Sequence, residues 1–155
     1  MSNLLQIDVE ILKHAQDLPV PNYQTDGAAG MDLFAALQKP LEIAPSERVL
    51  VPTGLKISLP LNVEAQIRSR SGIALKHGIS VLNSPGTIDS DYRGEILVLL
   101  INFGLNTFII ERGSRIAQLV ISPVIQAKLN VVSTLSITKR GQGGFGSTDK
   151  EPERR

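Results

Sequence analysis

The chain has no cysteine among its 155 residues. That excludes disulfides, thiolate nucleophiles and cysteine-ligated zinc together, and it fits a reducing compartment. A surplus of either charge is missing as well. Sixteen Lys and Arg against fifteen Asp and Glu leave a formal net charge of +1, which argues neither for a nucleic-acid footprint nor for an acidic partner. No apolar run reaches the length of a membrane span, and residues 1–8 lack a basic stretch followed by a long apolar core. The expected setting is the cytoplasm, with no membrane and no nucleic-acid partner. Aromatic residues are few, four Phe and two Tyr. What is present is ordinary for a globular domain: 42% hydrophobic and 20% charged residues, in a length that suits one domain with a real core.

Nine prolines and thirteen glycines are spread so that few long helices can form. Between them lie short apolar or alternating runs: Val49–Val51, Leu55–Leu59, Val63–Ile67, Gly78–Leu82, Ile96–Phe103, Phe108–Ile110 and Ile116–Ile121. Ile96–Phe103 is almost wholly apolar and reads as a strand buried on both faces. Ile125, Ala127, Leu129 and Val131 alternate strictly, and this stretch too reads as a strand. Many short strands with close-set turns mean an all-β sandwich, jelly roll or barrel. One short helix is expected, capped by Ser71, running through Ile73–His77 and ended by Gly78.

The chain is organised around residues 83–95, Asn-Ser-Pro-Gly-Thr-Ile-Asp-Ser-Asp-Tyr-Arg-Gly-Glu, set between two apolar runs. Turn residues at both ends make a broad hairpin. Its carboxylates, Tyr92, Arg93 and Asn83 form either a solvated tip or a functional loop. Other polar stretches interrupt the strand pattern. Ala28–Ala35 holds Asp32 inside an apolar run, Arg68–Ala74 places arginines and Ser71 at a helix start, and Arg112–Leu119 sets two arginines and Gln118 around a strand start. Each has a bland reading as an N-cap, a solvated turn or a strand-edge charge. From Lys139 the composition changes: Arg140 is followed by four glycines within 141–146, then by Ser147, Thr148 and a charged end. That is either a frayed tail or a mobile arm whose amides, hydroxyls and guanidinium converge on an anion. Taken together, these stretches would suit a polyphosphate.

In this order and spacing the stretches resemble the five motifs of the homotrimeric deoxyuridine triphosphatases. Ala29–Leu33 is similar to the first motif, Arg70-Ser71-Gly72 to the second, Gly86–Gly94 to the third, Arg112–Gln118 to the fourth, and the Gly-rich arm to the fifth. Ser69 stands where many members have proline, and Asp149 where glycine is common. The resemblance implies an all-β, jelly-roll-like domain over residues 1–139 and a flexible arm over 140–155 that closes on an active site. It implies cleavage of dUTP to dUMP and pyrophosphate, which limits uracil incorporation into DNA and supplies dUMP for dTTP synthesis. It also implies a homotrimer with shared sites.

Carried over residue by residue, the resemblance makes Asp89 the general base that activates water against the α-phosphorus, a role typically worth ~10²–10⁴-fold in rate. Mg²⁺ would ride on the substrate phosphates, with Asp32 reaching it through water. Arg70, Ser71 and Gly72 would bind phosphate, with Gln118 near the α-phosphate. Asn83 and hairpin backbone would read uracil, and Tyr92 would lie under the deoxyribose where a 2′-hydroxyl clashes. Thr87, Ile88 and Leu97 would complete substrate binding around the hairpin. Phe145 would stack on the base, and Arg140, Gly146, Ser147 and Thr148 would close over the phosphates. His14 and His77 match no catalytic position. Two rival readings stay open, a dCTP deaminase-like or bifunctional enzyme of the same fold and a non-catalytic nucleotide-binding module.

Overall fold

The computed structural model describes residues 5–146. Ser147 and Thr148, expected in the arm, lie outside the described residues. Within them the chain is built from short strands: β1 (Asp8–Ile11), β2 (Met31–Phe34), β3 (Leu41–Ile43), β4 (Arg48–Pro52), β5 (Leu55–Ser58), β6 (Val63–Arg68), β7 (Ile79–Val81), β8 (Gly86–Ile88), β9 (Leu97–Asn102), β10 (Phe108–Ile110) and β11 (Arg115–Pro123). A 3₁₀ turn at Lys13–Ala15 and one α-helix, α1 (Ser71–His77), complete the described elements. The all-β, jelly-roll-like expectation holds. No described helix is long and apolar enough to cross a membrane.

The strands form a four-stranded sheet in the order β2-β11-β6-β8, a three-stranded sheet β4-β9-β7, and the pairs β1-β5 and β10-β3. Every pairing is antiparallel. The inward faces meet in one core containing Leu33, Ile43, Val51, Ile79, Val98 and Leu100, all with no exposed surface. Each such side chain contributes roughly 1.5–3 kcal/mol by leaving water. Asn102 is buried among them without penalty, because its amide donates to the carbonyls of Ile43 and Asn106 and accepts from Gly104 N.

Three local expectations are corrected. Helix α1 begins at Ser71, and its cap position is Arg70 in extended conformation with no side-chain cap bond; Ser71 is therefore the first helical residue. Its end is as expected, with Gly78 at φ +69° returning its N–H to Ala74 O. Strand β9 is buried on one face: Val98, Leu100 and Asn102 point inward, while Leu97 is 39% exposed, because its small sheet covers the core from one side. Among the described residues, the alternating stretch 125–131 has no strand partner. The last strand stops at Pro123, and Ile125, Leu129 and Val131 stand out in solvent.

Candidate active site

The hairpin is wired into two sheets at once. Its flanks pair directly, Ile79 opposite Asn102 and Val81 opposite Leu100, and Leu82 N adds a bond to Leu99 O. After the turn with its cis Ser84–Pro85 peptide, the chain crosses to the other sheet. There β8 pairs with β6, Gly86 opposite Ile67 and Ile88 opposite Ala65. Three residues of the expected loop, Gly86–Ile88, thus form a strand, held by a partner some twenty residues upstream. Asp89 follows at once, where pairing ends, and its carbonyl accepts from Tyr92 N at 3.2 Å.

Between the two sheets this crossing leaves a pocket of about 230 Å³, lined by Asn83, Thr87, Ile88, Asp89, Tyr92 and Leu97 together with Gly86, Glu95 and the aliphatic floor of Ile67, Val81 and Leu99. All five hairpin residues expected to meet substrate, and Leu97 on β9, line this one cavity. Asp89 and Tyr92 are exposed. The Tyr92 ring lies against Gly94, where any side chain would collide with it, and its hydroxyl donates to Glu95 O at 2.9 Å. Arg93 turns away and donates to the carbonyls of Ser90 and Tyr92 at 2.7 and 2.8 Å, bracing the turn.

A second cluster grows from the end of β6, one residue beyond the Ile67 that floors the pocket. Strand register sets Gln118 opposite both Asp32 and Arg68. Arg70 Nε donates to Asp32 Oδ1 at 2.8 Å, Arg115 Nη1 lies 3.3 Å from Asp32 Oδ2, and Arg70 Nη1 donates to Arg115 O. Two guanidiniums share one carboxylate, which leaves a net positive charge at a partly open site. Gln118 Nε2 donates to Ser69 O at 2.9 Å and packs so close to Gly30 that a side chain there would strike it. Ser69 Oγ meets Ser80 Oγ and accepts from Val81 N, both at 2.9 Å, tying this cluster to the strand that enters the hairpin. Ser71 and Gly72 are exposed at the first turn of α1. Arg115 had drawn no assignment from the sequence, where it reads as a strand-edge charge; its register beside β2 is what brings it to Asp32.

The described part of the arm, residues 140–146, joins neither cluster. Arg140 Nε donates to Gly143 O, Gly143 N donates back to Arg140 O, and Phe145 stands fully exposed. Neither Arg140, Phe145 nor Gly146 lines the pocket. His77 tilts against Phe108 with ring centroids 5.0 Å apart, and His14 Nε2 lies 3.0 Å from Glu95 Oε1. Arg112, at the head of the fourth stretch, serves the scaffold. It donates to the carbonyls of Leu37 and His14 and pairs with Asp17, whose carboxyl that hydrogen bond holds below its ordinary range.

Fold and site define a jelly-roll protein with a small polar pocket beside an arginine-rich, anion-attracting cluster. A family model for dUTPase matches residues 16–149, and the chain belongs to the dUTPase family, dUTP diphosphatases of nucleotide metabolism. Among solved structures it is similar to a substituted Staphylococcus bacteriophage 80alpha dUTPase with dUpNHpp, at 26% identity and a TM-score of 0.82, covering 92% of this chain and 98% of that one. A second substituted form of the phage 80alpha enzyme gives 26% identity and a TM-score of 0.82 over 95% and 99% of the two chains. A substituted dUTPase from phage phi11 of S. aureus, described for its coordination of a structural Mg(II) ion, shares the fold at 22% identity and a TM-score of 0.76, over 86% and 100%.

Proposed function

We propose that the chain converts dUTP to dUMP and pyrophosphate by in-line attack on the α-phosphorus of a water activated by Asp89. The observation that carries this reading is the continuity of β6. It floors the hairpin pocket at Ile67 and runs directly into Arg70 and its partners, so a nucleoside in the pocket would have its phosphates led toward positive charge. Asn83 and hairpin backbone would pair the uracil edge, and a base lacking that edge would leave them unpaired. Tyr92 would carry the deoxyribose on its ring, and Thr87, Ile88 and Leu97 would complete the enclosure. Asp89, exposed in the same pocket, has its carboxylate open to a water. Arg70, Ser71, Gly72 and Gln118 would bind the phosphates and stabilise the charge that develops on them.

The residues fit a magnesium ion held mainly by substrate. The described residues contain no group of three His, Asp or Glu able to hold a metal. Asp32, with about two of its roughly four lone-pair sites taken by Arg70 and Arg115, keeps capacity to accept from a metal-bound water. Bound in that way, Mg²⁺ would neutralise phosphate charge and favour departure of pyrophosphate.

We further propose a homotrimer in which the arm, residues 140–155, closes over a neighbouring copy's pocket. Ile125, Leu129, Val131 and Ile137 are each at least 90% exposed. An apolar groove of about 390 Å³ lined by Ile7, Val9, Tyr23, Met31, Ile57 and Ile121 lies open on the same chain. Apolar surface on this scale calls for burial in an assembly. Phe145 would then stack on uracil, with Arg140, Gly146, Ser147 and Thr148 on the γ-phosphate. A cytoplasmic setting, with dUMP passed to dTTP synthesis and uracil kept out of DNA, completes the reading. Incubating the purified protein with Mg²⁺ and either dUTP or dCTP, and identifying the products, tests it. Release of dUMP and pyrophosphate from dUTP alone is expected; dUTP or dUMP formed from dCTP would mean a deaminase.

A further inference from the structure

Glu95 closes the hairpin and lines its pocket, yet the hydrolytic reading uses neither it nor His14. Its carboxylate is only 22% exposed, and Oε1 accepts from Gly54 N at 2.7 Å and from His14 Nε2 at 3.0 Å. A carboxylate only accepts, so Nε2 carries the proton in that contact. Both donors are themselves fixed. Gly54 sits at φ +70° in the turn between β4 and β5, so tightly under Ala15 that a side chain there has no room, and Gly54 O accepts from Leu12 N at 2.8 Å. His14 O accepts from Arg112 Nη2 at 2.7 Å. The backbone beyond Glu95 is anchored too, with Ile96 N bonded to Leu55 O and Ile96 O accepting from Thr53 Oγ1 at 2.7 Å. The backbone before it is held only within the turn itself, by Tyr92 N on Asp89 O and by the Arg93 guanidinium on the Ser90 and Tyr92 carbonyls. Glu95 O, which holds the Tyr92 hydroxyl, shares a peptide plane with Ile96 N and is therefore the point at which the turn is tied to the fixed scaffold.

We infer that Glu95 is a positioning residue for sugar selection. Its carboxylate, clamped by Gly54 and His14, fixes the carbonyl that tethers Tyr92, and so holds the ring where it excludes a ribonucleotide's 2′-hydroxyl. His14 is the orienting partner, and Arg112 carries the clamp back to the fourth motif. The inference rests on the role proposed above for Tyr92.

The test measures kcat/KM for dUTP and UTP in wild type, Glu95→Ala, Glu95→Gln, Tyr92→Phe, Tyr92→Ala and His14→Ala. Glu95→Ala is expected to raise the UTP:dUTP ratio about tenfold, on the scale of one lost hydrogen bond. Tyr92→Phe, which keeps the ring and removes the tether, should raise it similarly, and the double variant should add little to either, since the two act in series. Glu95→Gln retains an acceptor for Gly54 N and should return the ratio to within about threefold of wild type, with His14→Ala falling between. Equal losses on both nucleotides with an unchanged ratio in Glu95→Ala and Tyr92→Phe would overturn the inference. If Glu95→Ala does not fold, unchanged ratios in Tyr92→Phe and His14→Ala overturn it instead. An unchanged ratio in Tyr92→Ala would overturn the role given to Tyr92 itself, and with it this inference. A raised ratio in Tyr92→Ala with no change in Glu95→Ala would overturn only the Glu95 anchor.

Discussion

The hairpin at residues 83–95 and the arm beyond Pro123 look alike in the sequence, each rich in turn formers and polar groups beside an apolar alternation. In the folded chain they are opposites. The hairpin is bonded into two sheets, its tyrosine tethered and its arginine braced. Past Val124, whose N–H still bonds to Asn62 O, the described residues bond only among themselves, and Ile125, Leu129, Val131 and Ile137 stand exposed. On the proposed reading, the difference separates two tasks. Recognition of a base and sugar needs a shape that exists before the ligand arrives, which a single chain supplies. Closure over phosphates needs an element that moves, and four glycines within 141–146 make any fixed free conformation entropically unfavourable.

The contrast can be broken at the hairpin first. Asp89→Asn should lower kcat by ~10²–10⁴-fold while leaving dUTP affinity nearly intact, because the base is lost and the binding partners remain. Equilibrium binding of a non-hydrolysable dUTP analogue beside single-turnover rates checks this; a near wild-type rate would remove Asp89 from the role. At the arm, deleting residues 140–155 should cost about 10²-fold in turnover, the scale of lost charge-stabilising donors. The truncated chain should stay folded by circular dichroism, with weaker nucleotide binding. Between these regions, Leu129→Glu tests why an exposed alternation exists. If it is buried between copies, the substitution should shift the mass in light scattering from trimer toward monomer, whereas an unchanged trimer would place the interface elsewhere.

The smallest effect is expected at Arg112, which stiffens the scaffold beneath the hairpin. Its hydrogen bond lowers the Asp17 carboxyl below the ordinary range, so the pair adds stability above that range and loses it as pH falls through the lowered value. Arg112→Ala should therefore lower Tm by a few degrees at most near neutrality, the pair being largely exposed. The gap from wild type should narrow in acid. Melting curves at both conditions check it, and a gap that widens in acid would contradict the assignment.

Much of this was legible from periodicity and punctuation alone. Strands β4 to β7 and β9 to β11 announced themselves through apolar runs between Pro and Gly. Strand β8 did not, because Gly86-Thr87-Ile88 has no pattern of its own and becomes a strand only where β6 lies alongside it. The cap at α1 was displaced by one residue, since Ser71 has cap chemistry but Arg70 takes the cap conformation. The alternation at 125–131 has a strand's pattern with no strand partner among the described residues. In the site, Asp32 and the hairpin residues could be picked out as polar groups in apolar settings. Arg115 and Glu95 could not, because their roles depend on the partners that folding brings to them.

The central claim is that one copy supplies the pocket and another the closing arm. Mixed assemblies test it most directly, combining arm-deleted chains with full-length chains carrying Asp89→Asn, each nearly inactive alone. Shared sites predict that dUTP turnover returns on mixing, because some pockets then meet an intact Asp89 on one chain and an intact arm from another. No recovery, with mixed trimers confirmed by native mass spectrometry, would mean that each arm closes over its own hairpin.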